Sequence, residues 1–332
     1  MPKTLSSTVV TALLALGIAA PQAQALDKIN VSAIKAATFG GLFIAQERGY
    51  FAKEGFDVNF VYFDASPPIA VATVSGNLDF GMAATAAGFF NLSDKLRIIG
   101  GFAREAPGFQ GMTFVASLKG WNSGIHSLKD LGGHTISIGT VGSSPHYSLS
   151  LIEKKYGIDP ASVRLEPLQS ATNQASAVAG GSVDAAVTIS TVLLPGVESG
   201  QTKLLGYVGD EVPWQLSSIF TTVKTADNVP YVERFLRAYK KGAHDYIAAF
   251  VGPDGKRADQ PTAPAVLEII SKYVDQPPER VKKAIAYVDP DARIDVKDLQ
   301  NQVDWYVSQG MLKTRIDVNS VIDKRYVVPL TN

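Results

Sequence analysis

Cysteine is absent from the 332 residues. That excludes disulfides, thiolate metal sites and a cysteine nucleophile. It also excludes a lipid-modified cysteine at the end of a leader. An exported chain of this length needs no disulfides, because its core can be large enough without them. Histidine is nearly as scarce: His126, His134, His146 and His244 are all there are, and they show no metal-ligand spacing. No metal and no cofactor is expected. Charge bias is missing too. Lys+Arg and Asp+Glu balance at 31 each, which leaves no basic face for nucleic acid. No apolar run approaches the roughly 20 residues needed to span a bilayer. Neither G-x-x-x-x-G-K-[ST] nor G-x-S-x-G occurs, so there is no phosphate-binding loop and no nucleophile elbow of the known kinds.

What is present is a globular composition, 46% apolar and 19% charged, over a length sufficient for two domains. The first 25 residues read as a secretion leader. Lys3 supplies the positive start, residues 9–20 a short apolar core, and Ala23-Gln24-Ala25 a small-x-small cleavage site. Cleavage after Ala25 is expected, with the mature chain in the periplasm.

The mature chain carries an internal repeat. Residues 69–87, IAVATVSGNLDFGMAATAA, resemble residues 174–192, QASAVAGGSVDAAVTISTV. Gly76 falls on Gly181, Asp79 on Asp184 and Thr85 on Ser190. The same offset lays the alternating strand Asn30-Val31-Ser32-Ala33-Ile34 on Thr135-Ile136-Ser137-Ile138-Gly139, and Val58 and Phe60 on Val163 and Leu165. Each copy reads strand–helix–strand–helix–strand, over about 29–81 and 135–187, which predicts two α/β lobes with parallel sheets. Strand-like runs at 109–115 and 214–222 connect them. Only helices are predicted afterwards, at 231–250, 264–274, 278–288 and 296–311. This helical tail is expected to pack back on the first lobe. The expected division is lobe 1 over 26–115 and 220–332, and lobe 2 over 116–219.

Ligands of open parallel sheets bind beyond the carboxyl ends of the strands. Those ends carry Ala37-Thr38-Phe39 and Ala83-Ala84-Thr85 in one copy, and Gly142-Ser143-Ser144 and Thr188-Ile189-Ser190 in the other. In residues 139–147, GTVGSSPHY, Ser143 or Ser144 suits a helix cap and Pro145 a first helical turn. Free N–H groups at a helix start favour an anion. Ser144 and His146 stand two apart at a helix start and would not face each other, which argues against Ser-His catalysis. His146 is a candidate contact by position alone.

The runs GGLFIAQERGYFAKEGFDVNFVYFD (40–64), AVATVSGNLDFGMAAT (70–85) and VDWYVSQGMLKTRIDVNSVIDKRYV (303–327) resemble the ABC-transporter solute-binding proteins of the nitrate/sulfonate/taurine and thiamine-pyrimidine group. The resemblance implies the type II periplasmic-binding-protein fold, a two-lobe clamshell with two crossover strands. It implies a small ligand held in the cleft and a membrane permease as partner, and a monomer is expected. By matching position it implies contacts from Thr38, Phe39, Thr85, Ser143, Ser144 and Ser190, with Trp214 suggested by the crossover. The pyrimidine-synthesis relatives carry a cysteine cluster that this chain lacks. Arg104, before the first crossover, is placed to fork onto a carboxylate or sulfonate, or alternatively to pair with Glu105. Aromatic residues beside the corners (Phe39, Phe63, Phe102, Tyr147 and Trp214) suggest a ligand with an apolar body. The reading is a binding protein for an organic anion. An enzyme and a sensory co-receptor on the same scaffold remain alternatives.

Overall fold

The structure is a computed structural model that describes residues 25–330, so the expected leader lies outside the described residues except for Ala25. The strands are β1 (Asp27–Ala33), β2 (Phe56–Tyr62), β3 (Gly81–Ala84), β4 (Leu96–Gly101), β5 (Ala103–Glu105), β6 (Met112–Ser117), β7 (Thr135–Ile138), β8 (Arg164–Pro167), β9 (Ala185–Ile189), β10 (Thr202–Tyr207), β11 (Trp214–Gln215), β12 (Ser217–Thr222) and β13 (Tyr287–Val288). In the first lobe β2 pairs with β1, a Val31–Phe80 bridge joins β1 to the start of β3, and β12 lies antiparallel between β3 and β4. In the second lobe the order is β8-β7-β9-β6-β10, with β6 antiparallel between β9 and β10. The two lobes share one topology, an α/β architecture of the type II binding-protein kind.

The repeat is visible atom by atom. Asp79 accepts the N–H of Asn30 at 2.8 Å, and Asp184 that of Thr135 at 3.0 Å. In both copies the aspartate's own N–H returns to the carbonyl of the same strand residue, at 2.9 Å. Gly76 and Gly181 both stand at positive φ, +81° and +72°, between helix and strand, a conformation that L side chains rarely adopt. Ser32 is inserted into the β1–β3 seam, donating to the carbonyl of Met82 and accepting its N–H. Its counterpart Ser137 lies inside a β7–β9 ladder and has no hydroxyl partner.

The connections exchange strands. β6 belongs to the second sheet and β12 to the first, so the crossings fall between β5 and β6 and between β11 and β12. Residues 112–115 therefore join the second lobe and 217–219 the first, a few positions from the expected divisions at 115 and 219. At the crossings β5 pairs with β11 and β13 in a separate three-stranded hinge sheet.

The tail does pack on the first lobe. The helix Val229–Phe250 buries Val232, Phe235, Leu236, Tyr239, Ala243, Tyr246 and Phe250. It crosses the helix Gly40–Glu47 so closely that a Cβ on Gly242 would collide with the backbone carbonyl of Gly41. One expectation fails: 278–288 is not one helix. The helix stops at Lys282 and Tyr287–Val288 becomes β13. Tertiary partners claim that backbone: Gln110 donates to the carbonyl of Ile285, Tyr246 to that of Ala286, and the N–H of Asp289 to Phe102. No helix among the described residues is long and apolar enough to cross a membrane.

Gly242→Ala is expected to cost about 3 kcal/mol or more, because backbone blocks the added methyl. Gly76→Ala, with nothing within 4 Å of the new atom, should cost only the left-handed backbone penalty of about 1–2 kcal/mol. Urea midpoints of the two variants check the ranking, and equal losses would refute the close-crossing account.

Candidate ligand-binding cleft

The stretch GTVGSSPHY leaves β7 at Gly139, turns at Gly142 with φ +78°, and enters the helix Ser144–Tyr156 with Ser143 as N-cap. Ser143 has extended cap geometry, yet its hydroxyl makes no cap bond and instead accepts the N–H of Thr140 at 3.4 Å. The ring of His146 folds back, and its Nδ1 accepts the N–H of Gly142 at 3.1 Å. That places the proton of the neutral ring on Nε2. Burial holds its pKa down at about 4, so the ring is uncharged at neutral pH.

Gly142 also touches the opposite lobe. Its carbonyl accepts the N–H of Ala87 at 3.4 Å, and a Cβ here would come within 3.2 Å of the Ala87 methyl and 3.1 Å of the Met311 sulfur. The lobes therefore meet at this turn, and glycine is required for both its φ and its closeness.

Beside this contact lies a cavity of about 80 Å³. Three helix starts surround it: Ser66 and Pro67 before the helix Pro67–Val74, Ser143 and Ser144, and Ala171 of the helix Ala171–Ala179. The starts at Ser144 and Ala171 carry free N–H groups that favour negative charge, whereas Pro67 and Pro68 have no N–H and that helix contributes only its dipole. Ile34 and Met112 supply apolar wall, and Thr140 and Thr188 hydroxyl-bearing wall. The Thr140 hydroxyl has no partner. Gln169 also lines it, with its backbone left-handed at φ +71°. Strained backbone of this sort clusters at ligand sites. Gln174 is 1% exposed and spends its Nε2 on the carbonyls of Ser137 and Val187, at 3.4 and 2.8 Å. Its Oε1 accepts no hydrogen bond among the described residues. Asp64 is the one formal charge on the lining, and no lysine or arginine stands there.

Of the residues expected from the sequence, only Ser143 and Ser144 reach this cavity. The others are drawn elsewhere by packing. Thr38 is buried in a short turn, and Phe39 packs into the core against Phe102 at 5.2 Å. The Thr85 hydroxyl bonds Ser218 on β12 at 2.7 Å. Ser190 is fully buried at the start of the helix Ser190–Glu198, and its hydroxyl is unpaired. Arg104 lies on β5 with its guanidinium over the Tyr287 ring, 4.9 Å away, and forms no ion pair with Glu105. Trp214 stacks edge-on to Tyr147 at 5.0 Å, and His146 packs against Trp305 at 5.0 Å. Sequence reasoning missed Asp64, Ser66, Thr140, Gln169 and Gln174, and in the corner Thr188-Ile189-Ser190 it chose Ser190 where Thr188 lines the cavity. For Gln174 a signal existed: it occupies the repeat position of Ile69, and an amide where the other copy has a core isoleucine marks a polar need at that position.

The hinge beside the cleft carries a second unusual group. Glu105 on β5 is buried. Its Oε2 accepts the N–H of Met112 at 3.4 Å, and Oε1 has no partner. Burial pushes its carboxyl up to about 8.

Residues 36–249, more than half of the chain, match the family model described as NMT1/THI5 like. No curated protein sequence matches the chain. Among solved structures it resembles the alkanesulfonate-binding protein SsuA from Xanthomonas axonopodis pv. citri bound to MOPS, at 19% identity over 91% of this chain and 99% of that one, TM-score 0.71. It also resembles the periplasmic aliphatic sulphonate binding protein SsuA from Escherichia coli, at 16% identity over 92% and 94%, TM-score 0.70. The periplasmic nitrate-binding protein NrtA from Synechocystis PCC 6803 aligns at 12% identity over 91% and 87%, TM-score 0.72. At such identities the likeness is one of fold.

Between about pH 5 and 8 the native state holds a proton at Glu105 that the unfolded chain has released, so stability falls as pH rises across that window. Glu105→Gln removes this slope. The drop in urea-unfolding free energy from pH 5 to pH 8 is expected to be about 2–4 kcal/mol smaller in the variant. Identical drops would show that Glu105 is ionised in the native protein.

Proposed function

The chain belongs to the NMT1/THI5-like family, and from that premise we propose that it captures a small organic anion, a sulfonate or a carboxylate, outside the cytoplasm. It then passes the anion unchanged to an ABC permease. The observation that carries this is the convergence of three helix starts, two of them bearing serines, on one cavity between two bodies joined by a narrow hinge. Closure of the lobes on the ligand is the event a permease would read. In the lobe contact described above, the cavity admits a compact head-group and little more.

Asp64 and the free Oε1 of Gln174 are acceptors, and they refine the ligand. A plain anion gains nothing from either. An anion that also carries an N–H donor satisfies both, while its head lies at the helix starts. The energies suffice for this. Micromolar affinity needs about −8 kcal/mol, helix starts contribute about 1–2, and each charge-assisted hydrogen bond about 1.5–3. What supports binding over catalysis is the state of His146, neutral and with Nδ1 turned to Gly142 rather than to a serine.

A thermal-shift screen of sulfonates, aromatic acids, nitrate and pyrimidines tests the reading. An anion at a hundred times its Kd should raise Tm by about 5 °C, and Ser143→Ala with Ser144→Ala should weaken it about tenfold. Stabilisation by neutral or cationic compounds alone would end the proposal. Asp64→Asn separates the two halves of the ligand. It should weaken an amino-bearing anion about tenfold and tighten a plain anion of the same length. Isothermal titration of the pair reads this directly, and equal effects on both would remove Asp64 from the site.

A further inference from the structure

A second cavity, larger than the one at the helix starts, lies apart from it. It is a groove of about 1030 Å³ on the far side of the first turn of the helix Ser144–Tyr156. Its two walls come from different bodies. The second lobe presents one stripe of that helix, Tyr147, Leu151 and Glu153 among its members. The tail presents one stripe of the helix Val296–Ser308, including Asp298 and Trp305. Tyr147, Ser150 and Lys154 on one helix and Asp298, Asn301, Trp305 and Ser308 on the other recur every three or four residues, so each wall is built on one helix face. Residues 212 and 213, just before β11, border the groove next to the hinge.

Its chemistry is opposite to that of the cleft. Glu153 is 7% exposed, lines the groove, and its carboxylate makes no hydrogen bond and no ion pair among the described residues. Burial pushes it up to about 7, and Asp159 adds to the rise. Asp298 uses one oxygen to accept the N–H of Gln215 and the Nε2–H of Gln302, at 2.8 and 2.9 Å, and burial pushes it up to about 6. Arg104 acts on Asp298 only as a more distant charge. Asp304 is already neutralised by Arg315 at 2.7 Å, and Lys154 at the edge forms no ion pair with Glu153. Glu153 is thus a nearly buried carboxyl with no protein donor or counter-charge among the described residues, and its oxygens open to a space large enough for a whole small molecule. Trp305, half-buried, provides an aromatic face in the same groove, braced edge-on by the buried ring of Tyr147 at 5.1 Å, and half-buried Leu151 adds apolar wall.

We propose that this groove is a second ligand site, for a small organic ammonium with an apolar or aromatic body, with the ammonium on Glu153 and the body against Leu151 and Trp305. The cation supplies the donor and counter-charge that Glu153 lacks, and an ammonium near aromatic faces gains further attraction. Because each wall belongs to one body, an occupant bridges the lobes and is linked to their closure, and by reciprocity ligand in the cleft alters its affinity. This site does not depend on the anion reading.

Isothermal titration at pH 8 with phenylethylammonium, 2-phenylethanol and phenylacetate, three compounds with one body and three charges, is the test. The full mature protein should bind phenylethylammonium at least tenfold more tightly than 2-phenylethanol. Glu153→Gln should weaken the ammonium about tenfold and leave 2-phenylethanol unchanged. The comparison within the wild-type protein needs no variant to fold. Ser143→Ala with Ser144→Ala should leave ammonium binding as it is, so loss of anion binding there and loss of ammonium binding in Glu153→Gln are separate results. Equal binding of ammonium and alcohol, no saturable binding of the ammonium, or an unchanged Glu153→Gln variant would each overturn the proposal.

Discussion

One buried side chain holds the hinge to the rest of the molecule. Gln215 on β11 is 1% exposed, and every polar atom it owns is used. Its Nε2 donates to the carbonyls of Ala103 and Ser217, and its Oε1 accepts the N–H of Asp295. Its own N–H goes to Asp298 and its carbonyl accepts from Gln302. β5, β11, β12 and the tail helix thus meet at one residue. In a buried setting each of these bonds is expensive to leave unmade, and bonds in such a network support one another. The consequence is mechanical. The hinge sheet, the tail and the first lobe form one unit. The second lobe joins it through two crossings, through the contact of Gly142 with Ala87, and through the packing of His146 and Tyr147 on Trp214, Trp305 and Tyr306, among other contacts.

That arrangement explains how two pockets of opposite character can sit on either side of one helix start. The helix Ser144–Tyr156 directs its free N–H groups and hydroxyls toward the cleft. Three turns of its side face the tail, where Glu153 has no counter-charge. The cleft is lined by donors at the helix starts with one carboxylate, Asp64, at the side. The groove is lined by acids and aromatic rings. Burial, not pairing, sets the state of the ionisable groups nearest the moving parts: His146 is held neutral, and Glu105, Glu153 and Asp298 are all held above the usual carboxylate range.

Much of the fold was legible because the duplication repeats backbone requirements as well as hydrophobicity. A left-handed glycine at 76 and 181, and an aspartate at 79 and 184 that ties the third strand of each copy to its first, are local needs that any sequence with this topology must meet in the same register. The site was much less legible. Thr38, Phe39, Thr85 and Ser190 occupy equivalent corners in the chain, but a corner does not say whether a side chain turns outward. Phe39 turned to Phe102 in the core, and Thr85 turned to Ser218 because β12 enters the first sheet from more than 130 residues further along the chain. That insertion is a long-range pairing with no local mark.

The sequence by itself determined the duplicated α/β units, the tail that returns to the first lobe, and the Gly-Ser-Ser helix start. These rest on period, turn chemistry and capping, which act over a few residues. Only the tertiary structure decided where strands are exchanged, which polar residues face a cavity, and that two buried helix faces leave Glu153 without a partner. These depend on which surfaces meet across the hinge, and no short stretch of chain carries that information.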